Sequence, residues 1–243
     1  MAFIAVKNVS KAFGSKREVL KNIDLKVERG EFVTIFGPNG CGKTTLLNII
    51  AGILKPDGGE VAIDGKDPSE VKIGFVFQNY RDSLLPWKSN LDNIAFPLEL
   101  EGVEEWERRE RANELVETFN LEVPLSHYPY ESSGGEQQLV ALLREVICEP
   151  TVILADEPFS ALSYESRNYL RLKIQEIWEK LGLTVLFVSH DVDETVQLGG
   201  RVVAMSINPG RICGIHKVTF PRPRGFEVLY KKRFQMIRSA LVS

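Results

Sequence analysis

Gly37-Pro38-Asn39-Gly40-Cys41-Gly42-Lys43-Thr44 fits the pattern GxxxxGK(S/T), and it joins the short apolar run 31–36 to a segment of helical periodicity that starts at Lys43. Glycines at these spacings let the backbone curl so that successive N–H groups point inward. The partial positive charge of the following helix N-terminus reinforces them, and together they form a nest for polyphosphate. Lys43 adds a mobile full charge for the outer phosphates. Thr44 offers one hydroxyl to Mg2+, an ion that keeps several waters and takes few protein ligands. A glycine-rich surface turn would satisfy the eight residues alone, but the strand before it and the helix after it argue against that reading. Gly37, Pro38, Asn39, Gly40, Cys41, Gly42, Lys43, Thr44 and Thr45 are therefore the expected nucleotide-binding residues.

Outward from this loop, period-two alternation predicts strands at 3–9 and 23–27. Short apolar runs predict others at 31–36, 60–63, 72–77, 152–156 and 184–189. A helix is expected from Lys43, where Leu46, Leu47, Ile49 and Ile50 are apolar and Gly52 stands at the stop position. Further helices are expected at 104–119, at 135–148 before Pro150, at 165–181, and briefly after His190. Strand–helix–strand alternation implies an α/β fold with parallel pairing and right-handed crossovers. The charged region 79–149 reads as a helical insertion. Residues 221–243, with Arg222 and Arg224 among prolines, read as a basic tail ending in a helix over 226–241.

Asp156 closes the run 152–155, and Glu157 and Pro158 follow it. Two carboxylates thus fall at the carboxyl edge of a parallel sheet, where ligands of open α/β sheets bind. Asp156 is expected in the Mg2+ shell and Glu157 as the general base for an attacking water. Two carboxylates capping the next turn is the alternative.

Composition excludes other classes. The chain has 243 residues, 44% hydrophobic and 26% charged, enough for a sizeable core. A formal net charge of -3 offers no basic field for nucleic acid. No apolar run approaches the roughly 20 residues a bilayer-spanning helix needs, so the chain is expected to be soluble and internal. The three cysteines, Cys41, Cys148 and Cys213, have no metal-ligand spacing and read as buried or incidental thiols.

Taken in order, these motifs resemble the nucleotide-binding subunits of ATP-binding-cassette (ABC) transporters over nearly the entire chain. Phe13 matches the aromatic that stacks on adenine. Gln78 resembles the glutamine that senses Mg2+, and His190 the switch histidine at the γ-phosphate. Ser133, Gly134 and Gly135 match the signature turn, which in the family closes on the ATP of a partner cassette. The resemblance implies a P-loop NTPase core with a mostly parallel sheet, an N-terminal antiparallel β part and an inserted helical subdomain. It places the core at 1–78 and 150–220 and the subdomain at 79–149. The implied site comprises Lys43, Gln78, Glu157 and His190 as catalytic residues, and Thr44, Gln78 and Asp156 at the metal, with ATP and Mg2+ bound. Departures from the family pattern are Ser132 for leucine, Glu136 for glutamine, Leu139 for arginine and Ser163 for aspartate. An additional acid at Glu136, near triphosphate, is expected to weaken closure and slow hydrolysis.

The stretches Asp82-Ser-Leu-Leu-Pro-Trp-Lys, Asn90-Leu-Asp-Asn-Ile and Ser206-Ile-Asn-Pro-Gly-Arg-Ile are similar to the nitrate, sulfonate and taurine importer branch. That branch implies a homodimer or a pairing with a close paralogue, two transmembrane permease subunits, an external solute-binding protein and a place at the cytoplasmic membrane face. Leu84, Leu85, Pro86 and Trp87 would then lie beside the groove for the permease; packing inside the helical region is the competing explanation. Two other readings stay open: a non-catalytic ATP-binding regulatory subunit, and a soluble ABC ATPase not coupled to transport.

Overall fold

Alternation along the strands divides the protein into layers. In the computed structural model, which describes residues 2–14 and 17–242, a six-stranded sheet has the order β5-β6-β7-β3-β8-β9. Its members are β3 (Phe32–Phe36), β5 (Ile73–Val76), β6 (Val152–Asp156), β7 (Thr184–Ser189), β8 (Arg201–Met205) and β9 (Ile212–Lys217). All neighbouring pairs are parallel except β8–β9. Successive side chains of a strand face opposite ways. Accordingly Val185 and Phe187 join one core while Leu186 and Val188 join the other. Both β6 and β7 are buried at every position, as a sheet covered on both faces requires.

A second, antiparallel sheet is built from β1 (Ile4–Phe13), β2 (Arg17–Val27) and β4 (Gly58–Ile63), with β1 in the middle. Both N-terminal strands run further than their apolar alternation suggested. Their outer halves continue through Lys11↔Leu20 and Phe13↔Arg17 pairing after register shifts that break the period of two. Helix α1 (Lys43–Ile50) buries Leu46, Leu47, Ile49 and Ile50 between the sheets, and Gly52 follows in the left-handed region at φ 73°.

Between β5 and β6 lie the short α2 (Tyr80–Ser83), α3 (Asn90–Leu100), α4 (Glu105–Thr118) and α5 (Gly134–Val146). Helix α3 escaped the periodicity reading because Pro97 stands inside it. Local hydrogen bonds start it nonetheless. Ser89 caps it, accepting from Asp92 N at 3.1 Å, and the buried Asn93 donates to the carbonyls of Leu85, Lys88 and Ser89 at 2.9–3.0 Å. Strands β8 and β9 were likewise not anticipated; β9 alternates half-buried and exposed residues, as an antiparallel edge strand does.

After β6 come α6 (Tyr164–Leu181) and α7 (Val192–Leu198), and the chain ends in a 3-10 turn, Phe226–Tyr230, and α8 (Lys232–Val242). The last segment, expected as a basic tail, is packed instead: Phe234 is fully buried against Val196, Val202 and Val218. Its arginines lie inside as well. Arg224 is 2% exposed and donates to the carbonyls of Val196 at 3.0 Å, Gly199 at 2.5 Å, Val218 at 3.0 Å and Phe220 at 3.2 Å. Helix C-terminal carbonyls lack intrahelical partners, and this guanidinium satisfies carbonyls at the end of α7. Arg222 stacks over Trp178 at 4.4 Å and Phe32 at 5.7 Å. Burial lowers both guanidinium pKa values to about 10, leaving them charged at neutral pH. Arg224→Ala is therefore expected to lose roughly 3 kcal/mol of stability, since several buried acceptors lose their donor. A shifted urea midpoint would show it; an unchanged midpoint would contradict this role.

Candidate active site

Four parallel strands end at one edge, and each delivers a group there. The end of β3 at Phe36 leads into the glycine loop, β5 leads to Gln78, β6 ends on Asp156, and β7 ends at Ser189 just before His190. Register aligns the ends: Phe36 lies opposite Ser189, Asp156 opposite Val188, and Val76 opposite Ala155. Adjacent strands are about 4.8 Å apart, so residues distant in sequence meet within a few strand widths.

The loop requires its glycines. Gly42, which precedes α1, has φ 97°, and a Cβ there would meet Leu20 Cδ2 at 2.6 Å. Lys43 is 5% exposed. Its Nζ donates to Gly37 O at 2.8 Å and Pro38 O at 3.2 Å, with Glu157 Oε1 at 3.4 Å. A buried ammonium needs such partners. Beside it is a cavity of about 320 Å3, lined by Asn39, Gly40, Gly42, Lys43, Thr44 and Thr45 together with Val19, Gln78 and Glu157. Neither motif nor periodicity singled out Val19; β2 brings it there. Cys41 is buried, and desolvation raises its thiol pKa, so it serves packing rather than reactivity.

Glu157 occupies the left-handed region at φ 45°, unusual for a residue with a Cβ and costing of order 1–3 kcal/mol. Its N–H donates to Val188 O at 3.0 Å, which holds the turn in place. The carboxylate then lies between two partners, with Oε2 2.7 Å from His190 Nδ1 and Oε1 3.4 Å from Lys43 Nζ. A carboxylate can only accept, so Nδ1 carries the shared proton.

Asp156 is 4% exposed and its Oδ1 has no partner among the described residues. Burial pushes its carboxyl above the ordinary range, and the Thr44 hydroxyl, hydrogen-bonded to it, opposes that rise. An orphaned carboxylate oxygen beside the hydroxyl of Thr44, a residue that lines the cavity together with Gln78, suits a hydrated divalent cation shared with phosphate oxygens.

Ser133, Gly134 and Gly135 do not line this cavity. Ser133 caps α5 in a reciprocal arrangement, with Ser133 N donating to Glu136 Oε2 at 2.6 Å and Glu136 N to Ser133 Oγ at 3.3 Å. The Glu136 carboxylate is thus engaged in a helix cap, which gives this departure from the family pattern a structural purpose. Ser132 is buried and accepts from Asn90 Nδ2 at 2.8 Å, Leu139 is 1% exposed core, and Ser163 caps α6, accepting from Ser166 N at 3.3 Å. Phe13 is 46% exposed and also lies outside the cavity lining, with Lys11 Nζ 5.7 Å from its ring centre. The Asp82–Lys88 stretch divides: Leu84 is buried in the helical core and Trp87 is 71% exposed.

A family model described as ABC transporter matches residues 20–160. The chain belongs to the ABC transporter family. It is 40% identical to the aliphatic sulfonates import ATP-binding protein SsuB of Bacillus cereus, over 98% of this chain and 94% of that protein. It is 45% identical to an uncharacterized ABC transporter ATP-binding protein of Methanocaldococcus jannaschii, over 91% of this chain and 84% of that one. Among solved structures, it is similar to a dimeric post-hydrolysis ATP-binding cassette bound to ADP and Pi, with TM-score 0.76, 35% identity, and coverage of 90% of this chain and all of that one. As an ABC ATPase of the importer type, the chain binds and hydrolyses ATP. Among the described residues, no helix is long and apolar enough to cross a membrane.

The unpaired Asp156 oxygen sets function against stability. Because burial raises its folded-state pKa, ionised Asp156 destabilises the free protein above that pKa, and the penalty disappears as pH falls and the group protonates. Asp156→Asn is expected to raise the thermal midpoint of the nucleotide-free protein at neutral pH, with the difference from wild type shrinking in acid. If Asp156 helps to hold a divalent cation, the same variant should lose any gain in ATP affinity that Mg2+ confers. A lower midpoint at neutral pH would show that the carboxylate is satisfied.

Proposed function

We propose that this chain is the motor subunit of an importer for a small anion such as nitrate, a sulfonate or taurine. The observation that carries the catalytic part is the position of Glu157: a strained residue at the phosphate cavity, with its carboxylate shared between Lys43 and His190. The likeness to sulfonate import proteins supports the solute class.

In this reading the loop from Gly37 to Thr45 holds the phosphates through backbone N–H groups, Lys43 takes the outer ones, and exposed Phe13 meets the adenine. Thr44, Gln78 and Asp156 hold Mg2+, which supplies charge neutralisation on the phosphate oxygens when bound. Glu157 accepts a proton from water as the water oxygen bonds to the γ-phosphorus. The bond to the bridging oxygen breaks, and ADP and phosphate leave. His190 fixes the Glu157 carboxylate through Nδ1.

The partner site is supplied by a second copy or a close paralogue, whose Ser133, Gly134 and Gly135 turn closes over the nucleotide at the N-terminus of α5. Core residues 1–78 and 150–220 and helical residues 79–149 are the moving parts, and Trp87 faces one of two transmembrane permease subunits at the cytoplasmic membrane face. An external solute-binding protein selects the cargo, and nucleic acid has no part.

Glu157→Gln should lower phosphate release by the complex reconstituted with its permease at least about 100-fold while ATP still binds. Equal rates would remove the assigned base. Separately, Trp87→Glu should detach the chain from its permease on size-exclusion chromatography without changing ATP affinity; retained assembly would count against that placement.

A further inference from the structure

His190 stands on a two-residue turn, His190–Asp191, between β7 and α7, and what fixes that turn lies beneath it. The hydroxyl of Ser189, 2% exposed, donates to Glu194 Oε2 and accepts from the Asp191 backbone N–H at 3.0 Å. The peptide that follows His190 is therefore tied through one hydroxyl to a carboxylate on the next helical turn. Glu194, 4% exposed, is anchored in turn: its Oε1 accepts from Arg171 Nε at 3.2 Å and Nη2 at 3.0 Å. Arg171, 3% exposed on α6, also reaches Asp191 Oδ2 at 3.3 Å and Gln197 Oε1 at 3.3 Å. Asp191 closes the circuit by accepting from Asp193 N at 2.9 Å and Glu194 N at 3.1 Å.

A buried arginine–glutamate pair is a poor source of stability, because desolvating both ions offsets their attraction and an apolar pair of similar volume would serve as well or better. What such a pair does supply is a fixed geometry. The ligated hydroxyl of Ser189 directly precedes the histidine that touches Glu157, and the two groups line one small cavity with Glu157.

The geometry points to Arg171, Glu194 and Ser189 as positioning residues that set the backbone at His190, and through it the direction of the Glu157 carboxylate. This inference rests on the assignment of Glu157 and His190 to hydrolysis. The chain of contact is Arg171 to Glu194, Glu194 to the Ser189 hydroxyl, Ser189 to the Asp191 amide, and the turn to His190. Misplacing a reacting group by about 1 Å costs on the order of 100-fold in rate, so release of this clamp acts on turnover and leaves nucleotide binding alone.

Ser189→Ala removes the hydroxyl but leaves the buried ion pair whole, so it is the variant to measure first, alongside Ser189→Thr and Glu194→Gln. Measured with the complete permease complex, Ser189→Ala is expected to lower kcat for ATP hydrolysis about 10-fold or more while KM for ATP stays within error. The thermal midpoint falls as well, because the buried Glu194 carboxylate loses a donor, so rescue by Ser189→Thr and the kcat-against-KM split carry the test. Ser189→Thr, which keeps the hydroxyl, should recover most of the rate. In the free subunit, the Asp191 amide should exchange with solvent faster in Ser189→Ala than in wild type or Ser189→Thr. Unchanged kcat, an equal loss in Ser189→Thr, or a fall in ATP affinity matching the fall in rate would overturn the proposal. Glu157→Gln, run in parallel, separates the failures: if it hydrolyses normally the site assignment is wrong, whereas if it is dead and Ser189→Ala is normal only the clamp is.

Discussion

The constraint on which the site depends is the close approach of backbone to backbone beneath the glycine loop. Gly210 lies so near the loop that a Cβ on it would fall 2.0 Å from the Cys41 carbonyl. Gly210 N also donates to Val19 O at 2.9 Å, while Lys21 N donates to Gly210 O at 3.0 Å. One glycine thus stitches the antiparallel sheet, through β2, to the turn between β8 and β9, and the glycine loop sits in the seam. Leu20, fully buried, closes the same seam from the other side against Gly42. Side chains at either glycine would force the two sheets apart and open the loop's curl.

From that seam the remaining groups follow by topology. Because β5, β6, β7 and β3 are neighbours and parallel, the backbone ladder between them brings their carboxyl ends together. Fine placement is then done by polar atoms in small numbers: the Val188 carbonyl for Glu157, the Thr44 hydroxyl for Asp156, the Glu157 carboxylate for His190. Hydrophobic layers set the positions of strands, and single hydrogen bonds set the directions of side chains.

Much of this was legible in the residues. The glycine loop, β6 with its terminal Asp156, and β7 ahead of His190 have bounds that match their apolar runs, because buried parallel strands are continuously apolar and end abruptly in polar residues. What escaped has equally physical causes. Pro97 hid α3, whose start is secured by Ser89 and Asn93 rather than by periodicity. Strand β9 has only half-buried residues facing inward, so its alternation is weak. Arg222 and Arg224 read as a charged, solvated stretch, since nothing local reveals that their partners are carbonyls and an indole from distant segments. Nothing local in the sequence showed that the Glu136 carboxylate also accepts from the N–H of Ser133.

The buried Arg224 has a bearing on how the chain is made. Every group assigned to phosphate or water lies at or before residue 190, yet the carbonyls that end α7 remain unanswered until residue 224 has emerged. During synthesis, then, the strand that leads to the histidine can pair with its neighbours while the helix behind it still has a frayed end. A chain cut short before that arginine would hold all of its chemistry and lack the last fastening of the scaffold that aims it.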